Sequence, residues 1–319
     1  MDNQLIELLD VEQHTVPSFI EANTLPVQLR EIEQNHIIPV FVKDNEPLIS
    51  HSDFINATGE VVSNLFQHEM ISLPQVRVSH PIKGRIPDAK DKPAKELQEW
   101  EKTLYYERMM FLFEIPTIME TIEGNHLSLS VGGVKSFSTD NLYNRKGSDE
   151  HFTLFIGFQN RVCTNLCVWT DGLKVKVKVK NSTQLMQEIH QLIVQFQMER
   201  QVELLRRLPQ YELTEHQFAT LIGRCKLYQY LSVVQKKEIQ PLAFGDSQIS
   251  TIARDYYHDQ NFCGKSNGSI SLWSVYNLFT GANKSSYIDS FLTRSANASE
   301  FVQELSYAVE NQSTSWYLN

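Results

Sequence analysis

The chain has 319 residues, with 29 Lys and Arg against 38 Asp and Glu, a formal net charge of −9, 41% hydrophobic residues and four cysteines. That length and apolar content suffice for a large buried core, while the acidic balance excludes a protein that coats nucleic acid by overall basic excess. No apolar run reaches the roughly 18 residues of a membrane helix, and the segment from Met1 to Asp10 lacks the basic start and apolar centre of a secretory leader. The expectation is a cytoplasmic protein with reduced cysteines and no membrane contact.

Residues 1–25 are polar and unpatterned and are expected to be loosely ordered. Ile37-Ile-Pro-Val-Phe-Val42 predicts a short strand. Ser52 or Asp53 can cap a helix that continues through Val61, Val62, Leu65 and Phe66. Val76 to His80 alternates, and Lys83 to Lys95 is a basic connection punctuated by proline. Leu104 to Ile118 is apolar on both sides, which fits a buried strand or a helix; Pro116 favours a strand that ends there. Leu127 to Val131 alternates into a Gly132-Gly133 turn, with Val134 opening the return strand, and Phe152 to Phe158 predicts another strand.

The sharpest local expectation falls on residues 162–180. Asp171-Gly172 between two alternating runs is a strong hairpin signal. A two-residue loop there puts Leu166, Val168, Val175 and Val177 on a core-facing side. It sets Trp169 against Lys174, Cys167 against Lys176, Asn165 against Lys178 and Cys163 against Lys180. The result would be a lysine strip with one aromatic platform, of the kind single-strand binders use, and a lysine that favours the Cys167 thiolate. The plainer alternative is an edge hairpin whose lysines discourage aggregation.

From Ser182 the spacing turns helical. Leu185, Ile189, Leu192 and Phe196 line one side of a helix that stops near Pro209, and Thr214-Glu-His-Gln217 is a capping box before another. Further helices are predicted around 247–258, 270–279 and 299–311. Trp273, Tyr276 and Phe279 recur along one helix side, and Gly281 is read as ending that helix.

No His-Glu-x-x-His is present, and the Cys163-x-x-x-Cys167 pair has no second pair at zinc-ribbon spacing, so no metal or cofactor is assigned. Gly281-Ala-Asn-Lys284-Ser285 lacks the glycine before the lysine that a phosphate loop needs. No protease cysteine signature occurs, and no catalytic residue is assigned. Basic residues cluster at Arg77, Lys83 and Arg85, and Lys284 lies in an aromatic-flanked loop with Tyr287.

Several segments carry a family resemblance: Arg77-Val-Ser-His-Pro-Ile-Lys-Gly-Arg85, Gly132-Gly-Val-Lys135, Asp149-Glu-His-Phe152, the run Cys163 to Gly172, Gln217 to Arg224, and Asn277 to Asp289. Together they resemble the family catalogued as domain of unknown function 3871, found in Bacteroides-type bacteria, over nearly the whole chain from about residue 24. Val162-Cys-Thr-Asn165 followed by Trp273, Tyr276-Asn277 and Thr280 also resembles the motif order of a phage- and plasmid-like family, domain of unknown function 932, which implies a setting on mobile elements. Neither resemblance brings catalytic residues.

The expected architecture is α+β. A central mixed or antiparallel sheet over about residues 37–180 is joined to a helical C-terminal half over about 182–312, with 26–180 and 181–319 packed as one large domain. The leading functional expectation is a non-enzymatic accessory protein of mobile elements that binds single-stranded nucleic acid, or another element-encoded protein. Its contacts would be Trp169, Lys174, Lys176 and Lys178, joined by Lys284 and Tyr287. Two alternatives are an enzyme centred on Cys163 and Cys167 with His151 or His80, and an oligomerising module using the aromatic segment 273–292.

Overall fold

The computed structural model describes residues 18–35, 49–141 and 149–319, so the strand expected at 37–42 and most of residues 1–25 lie outside the described residues. The first half contributes β1 (Leu25–Val27), α1 (Leu29–Asn35), α2 (His51–Leu65), β2 (Gln75–Val78), β3 (Pro81–Arg85), β4 (Lys102–Tyr106), β5 (Arg108–Ile122), β6 (Asn125–Ser136), α3 (Phe137–Asn141), β7 (Glu150–Asn160) and β8 (Leu166–Val179). The second contributes α4 (Ser182–Gln195), α5 (Met198–Arg207), β9 (Glu212–Leu213), α6 (Glu215–Tyr228), α7 (Val233–Lys236), α8 (Asp246–His258), β10 (Ile270–Ser271), α9 (Leu272–Asn283) and α10 (Ile288–Glu310). The fold is α+β, and the central sheet is antiparallel throughout, in the order β1-β2-β5-β6-β7-β8.

Successive side chains of a strand point to opposite faces, and here both faces are apolar because both are covered. Met109, Phe111 and Phe113 of β5, Phe152, Leu154 and Ile156 of β7, and Cys167 and Trp169 of β8 join the large core containing α2, α4 and most of the C-terminal helices. Met110, Leu112, Phe155, Leu166 and Val168 meet Ile288, Phe291 and Leu292 of α10 on the other side. The α10 helix packs along β8 and is fastened there by Ser299, whose hydroxyl donates to Val168 O at 2.7 Å.

Glycines account for most departures from the sequence reading. β6 runs straight through Gly132-Gly133 and makes no turn. A Cβ on Gly132 would sit 2.0 Å from Phe111 O, and one on Gly133 would sit 2.5 Å from both the Phe54 ring and Thr153 O. These residues allow close approach of neighbouring backbone and of α2. The reversal occurs earlier, at Glu123-Gly124, where both residues have positive φ (46° and 77°) between the paired Ile122 and Asn125. That conformation at both central positions is the hairpin geometry that matches strand twist. β5 also continues past Pro116, which falls in a register break between Ile115 and Met119 where no ladder N–H is required of it.

The helix caps follow local chemistry. Ser50, not Ser52 or Asp53, caps α2; its hydroxyl accepts from Asp53 N at 3.0 Å and Asp53 accepts from Ser50 N at 2.9 Å. Thr214 and Gln217 form the expected reciprocal pair at the start of α6. The α9 helix passes Gly281 and ends at Asn283.

One end of the sheet contains a buried ionic cluster. Lys135 at the end of β6 has no exposed side-chain surface, and its Nζ lies 2.7 Å from both Asp140 Oδ2 and Glu150 Oε2. The ammonium also stands 4.1 Å from the Phe152 ring centroid. Asp140 accepts from His151 N at 2.8 Å, and Glu150 accepts from Ile49 N at 3.1 Å, tying α3, β7 and the approach to α2 together. Removing one partner of a buried ion pair leaves uncompensated charge and costs about 3–5 kcal/mol. Lys135→Met is therefore expected to lower unfolding free energy by about that amount in urea titration, whereas Lys180→Met, at an exposed position, should change it by under about 0.5 kcal/mol.

Candidate functional site

The predicted hairpin at Asp171-Gly172 is absent: β8 is one continuous strand, and its partner along its length is β7. Between the pairs Gly157–Val168 and Phe155–Leu173, four residues of β8 stand against one of β7, so Trp169–Gly172 form a bulge. Gly172 is required there by proximity, since a Cβ would lie 2.3 Å from Ile156 O. Asp171 accepts from Gln201 of α5 at 2.8 Å, which anchors the bulge. The hairpin that does form joins β7 to β8 through 161–165, with Thr164 at φ 58°.

This rearranges the six residues assigned from sequence. Trp169 is 3% exposed and packs against Phe158 and Phe196, so it offers no ring face to a base. Lys174 is half-buried and paired with Glu188 of α4 at 3.0 Å. Lys176 and Lys178 are exposed, and so is Lys180. Lys284 turns inward, donating to Cys163 O and to Thr164 Oγ1 (3.0 Å). Tyr287 is exposed at the cap of α10. The predicted strip therefore does not exist as one surface. Its lysine end survives at 176–180, on an edge strand of the sheet.

The motifs around Cys163 and Asn277 do meet. They line a polar pocket of about 270 Å³ with Asp259, Arg254 and Lys284. Asn165 donates to Asn277 O at 3.0 Å and so fastens α9 to the β7–β8 turn, while Asn277 donates within α9 to Trp273 O at 2.9 Å. Trp273, Tyr276 and Phe279 are all buried and build core, while Tyr287 of the same segment is exposed.

The cysteines do not form a nucleophilic centre. Burial pushes the Cys163 thiol up, more strongly than Lys284 can pull it down, and pushes Cys167 up to about 12. The thiolate expected at Cys167 is thus disfavoured: the residue faces Phe158, not a lysine. Lys284 is itself held below the ordinary lysine value by desolvation. His151 lies seven residues along β7 from Phe158, about 23 Å at strand rise, and His80 follows β2 at that same far end. Neither His151 nor His80 is brought to Cys163 or Cys167. Among the described residues no cluster of metal-ligating side chains occurs, and no helix is long and apolar enough to cross a membrane.

Lys135 with its two carboxylates is not legible in the sequence, because a lone lysine in an apolar strand carries no local mark of its partners. Trp100, 70% exposed in the connection between β3 and β4, was legible only faintly. Its signal was an aromatic among Glu99, Glu101 and Lys102, with no apolar stripe to bury it.

An antiparallel sheet covered on both faces by helices, with a lysine-bearing edge strand, defines an α+β protein without a recognisable reaction centre among its cysteines. The model of the family described as "Domain of unknown function, B. Theta Gene description (DUF3871)" matches residues 2–318, and the chain belongs to that family. No curated protein and no solved structure matches it.

The thiols give a direct check on this geometry. Cys263 is exposed while Cys167 and Cys225 are buried. Native protein should release one equivalent of thiol to Ellman's reagent quickly at pH 8, with Cys163 slow and the other two silent until urea exposes all four. Cys167 is raised in the folded state above the ordinary value of about 8.5, so its burial stabilises fully below that value. That contribution is lost as pH rises toward about 12. Cys167→Ala should therefore flatten the alkaline loss of stability.

Proposed function

We propose that the protein is a non-enzymatic accessory protein of mobile elements that binds single-stranded nucleic acid along the outer edge of β8. The observation that carries the reading is that Lys176 and Lys178 of the edge strand β8, and Lys180 directly after it, are all exposed at every second position. Alternate strand residues are about 6.6 Å apart, near the phosphate repeat of an extended single strand. Val177 is half-buried and Val179 buried, which directs the intervening lysines outward. The left-handed backbone at Lys176 (φ 56°) interrupts pairing with β7 and turns its ammonium to solvent.

The raised thiol at Cys163 and its separation from His151 and His80 favour binding over cysteine chemistry. The mobile-element setting is drawn from the resemblance of the motif order to that of domain of unknown function 932. Lysines on a strand edge also discourage edge-to-edge pairing, and that role is compatible with binding.

Fluorescence anisotropy of a labelled oligo(dT) tests this. Wild-type protein should bind with micromolar affinity that weakens steeply with salt. The triple change K176E/K178E/K180E should abolish binding. The neutral K176Q/K178Q/K180Q set should lower the salt slope by about 2, at roughly 0.7 per phosphate contact on a single strand. Equal affinity of wild type and both triple variants, with unchanged circular dichroism, would remove β8 as the binding edge.

A further inference from the structure

The β8 lysines lie at one end of the sheet, and the register shows what else is there. Lys178 pairs with His151 and Val179 with Glu150. Phe152 pairs with Lys135, Met109 pairs with Lys135 on its other side, and Val78 pairs with Met109. The end of β8, the start of β7, the end of β6, the start of β5 and the end of β2 are therefore level. Between β2 and β5 the chain leaves the sheet at this end as a separate two-stranded ribbon, with Arg85 opposite Lys102 and Lys83 opposite Leu104. Three ladder steps separate β5 from β8, about 14 Å at sheet spacing. A few nucleotides span that distance.

The ribbon has what β8 lacks. Its groove, of about 640 Å³, is lined by Lys83, Arg85 and Lys102 together with Glu31 and Glu99. Glu99 is held by Lys102 at 2.5 Å, and Arg85 donates to Lys92 O. Lys83 is exposed and has no ion-pair partner among the described residues. Trp100 stands between Glu99 and Lys102 in the chain, 70% exposed. Of the other tryptophans, Trp169 is 3% and Trp273 is 1% exposed, and Trp316 is half-buried under Arg224. An indole left in water, two residues before Lys102 in the chain, is what a stacking platform for single strands requires.

Building on the binding reading above, we infer that the β3–β4 ribbon is the base-contacting part of the interface, with Trp100 stacking on a base and Lys83 and Arg85 holding the adjoining phosphates. The strand then continues across the sheet end to the lysines of β8. The ligand class is single-stranded nucleic acid, bound without base-edge readout because every base has a face to stack.

Intrinsic tryptophan fluorescence, read in parallel with anisotropy, tests this on the full chain. Unlabelled oligo(dT) should quench wild-type emission in step with binding, and an abasic oligonucleotide of equal length should bind more weakly and quench little. W100F should still bind oligo(dT) but lose the quench, whereas W100A should bind roughly 5- to 150-fold more weakly, the range for loss of one stacked base. K83E/R85E should weaken binding and reduce its salt slope. Binding by anisotropy with unchanged emission, and W100A equal to wild type, would overturn the ribbon assignment while leaving β8 standing. No binding by wild type at low salt would overturn both.

Discussion

An ammonium with no access to water needs counter-charge at close range, and Lys135 receives it from two directions at once. Asp140 arrives from the short helix that follows β6, and Glu150 from the first residue of β7. Burying such a cluster gains little net energy over an apolar replacement, because the desolvation of three charges offsets most of their attraction. Its effect is on register. A one-residue slip of β6 against β7 would turn Lys135 to the opposite sheet face, away from both carboxylates and from the Phe152 ring below it. The cluster thus ties the alignment of the two central strands to the position of α3. Through the Glu150 bond to Ile49 N, it also ties that alignment to the chain entering α2.

The same tightness explains the glycines. Where strands and α2 crowd the sheet, a Cβ at position 132, 133 or 172 would collide with backbone or with Phe54. A glycine in an alternating run therefore has two readings, reversal or close approach, and the run itself does not separate them. At Asp171-Gly172 the decisive information lay elsewhere in the chain: β7 supplies a partner for residues on both sides of the supposed turn, so the run 166–179 had no need to pair with itself. Glu123-Gly124 carries the real turn. It was passed over because the Gly132-Gly133 pair nine residues later gave the louder signal.

What could be read from sequence divides along the range of the forces involved. The C-terminal helices, the Thr214 box and the helical stripe through Leu185, Ile189 and Leu192 depend on neighbours within a few residues, and they were legible. The α+β class was legible for the same reason. The candidate site was not, because exposure is a tertiary property. Leu166, Cys167, Val168 and Trp169 are all apolar, the mark of a strand buried on both faces. In that light Trp169 belongs to the core with Phe158 and Phe196. Lys176 and Lys178 are exposed on the edge strand, whereas Lys174, in the same alternation, is half-buried against Glu188.

Overall charge sets how a polyanion can be held here. At −9 the whole molecule repels nucleic acid at distances where individual lysines are not resolved. At physiological salt that field decays over about 8 Å, so the local cations at the end of the sheet act only at contact. Long-range steering is weak under such conditions, and affinity must come from short-range terms that salt does not screen. Stacking on an exposed indole is one of these, while lysine–phosphate pairs are not. An acidic protein that binds single strands thus depends on its aromatic platform more than a basic one does. With Trp169 buried, Trp100 is the exposed indole that could supply such a platform to the proposed binding.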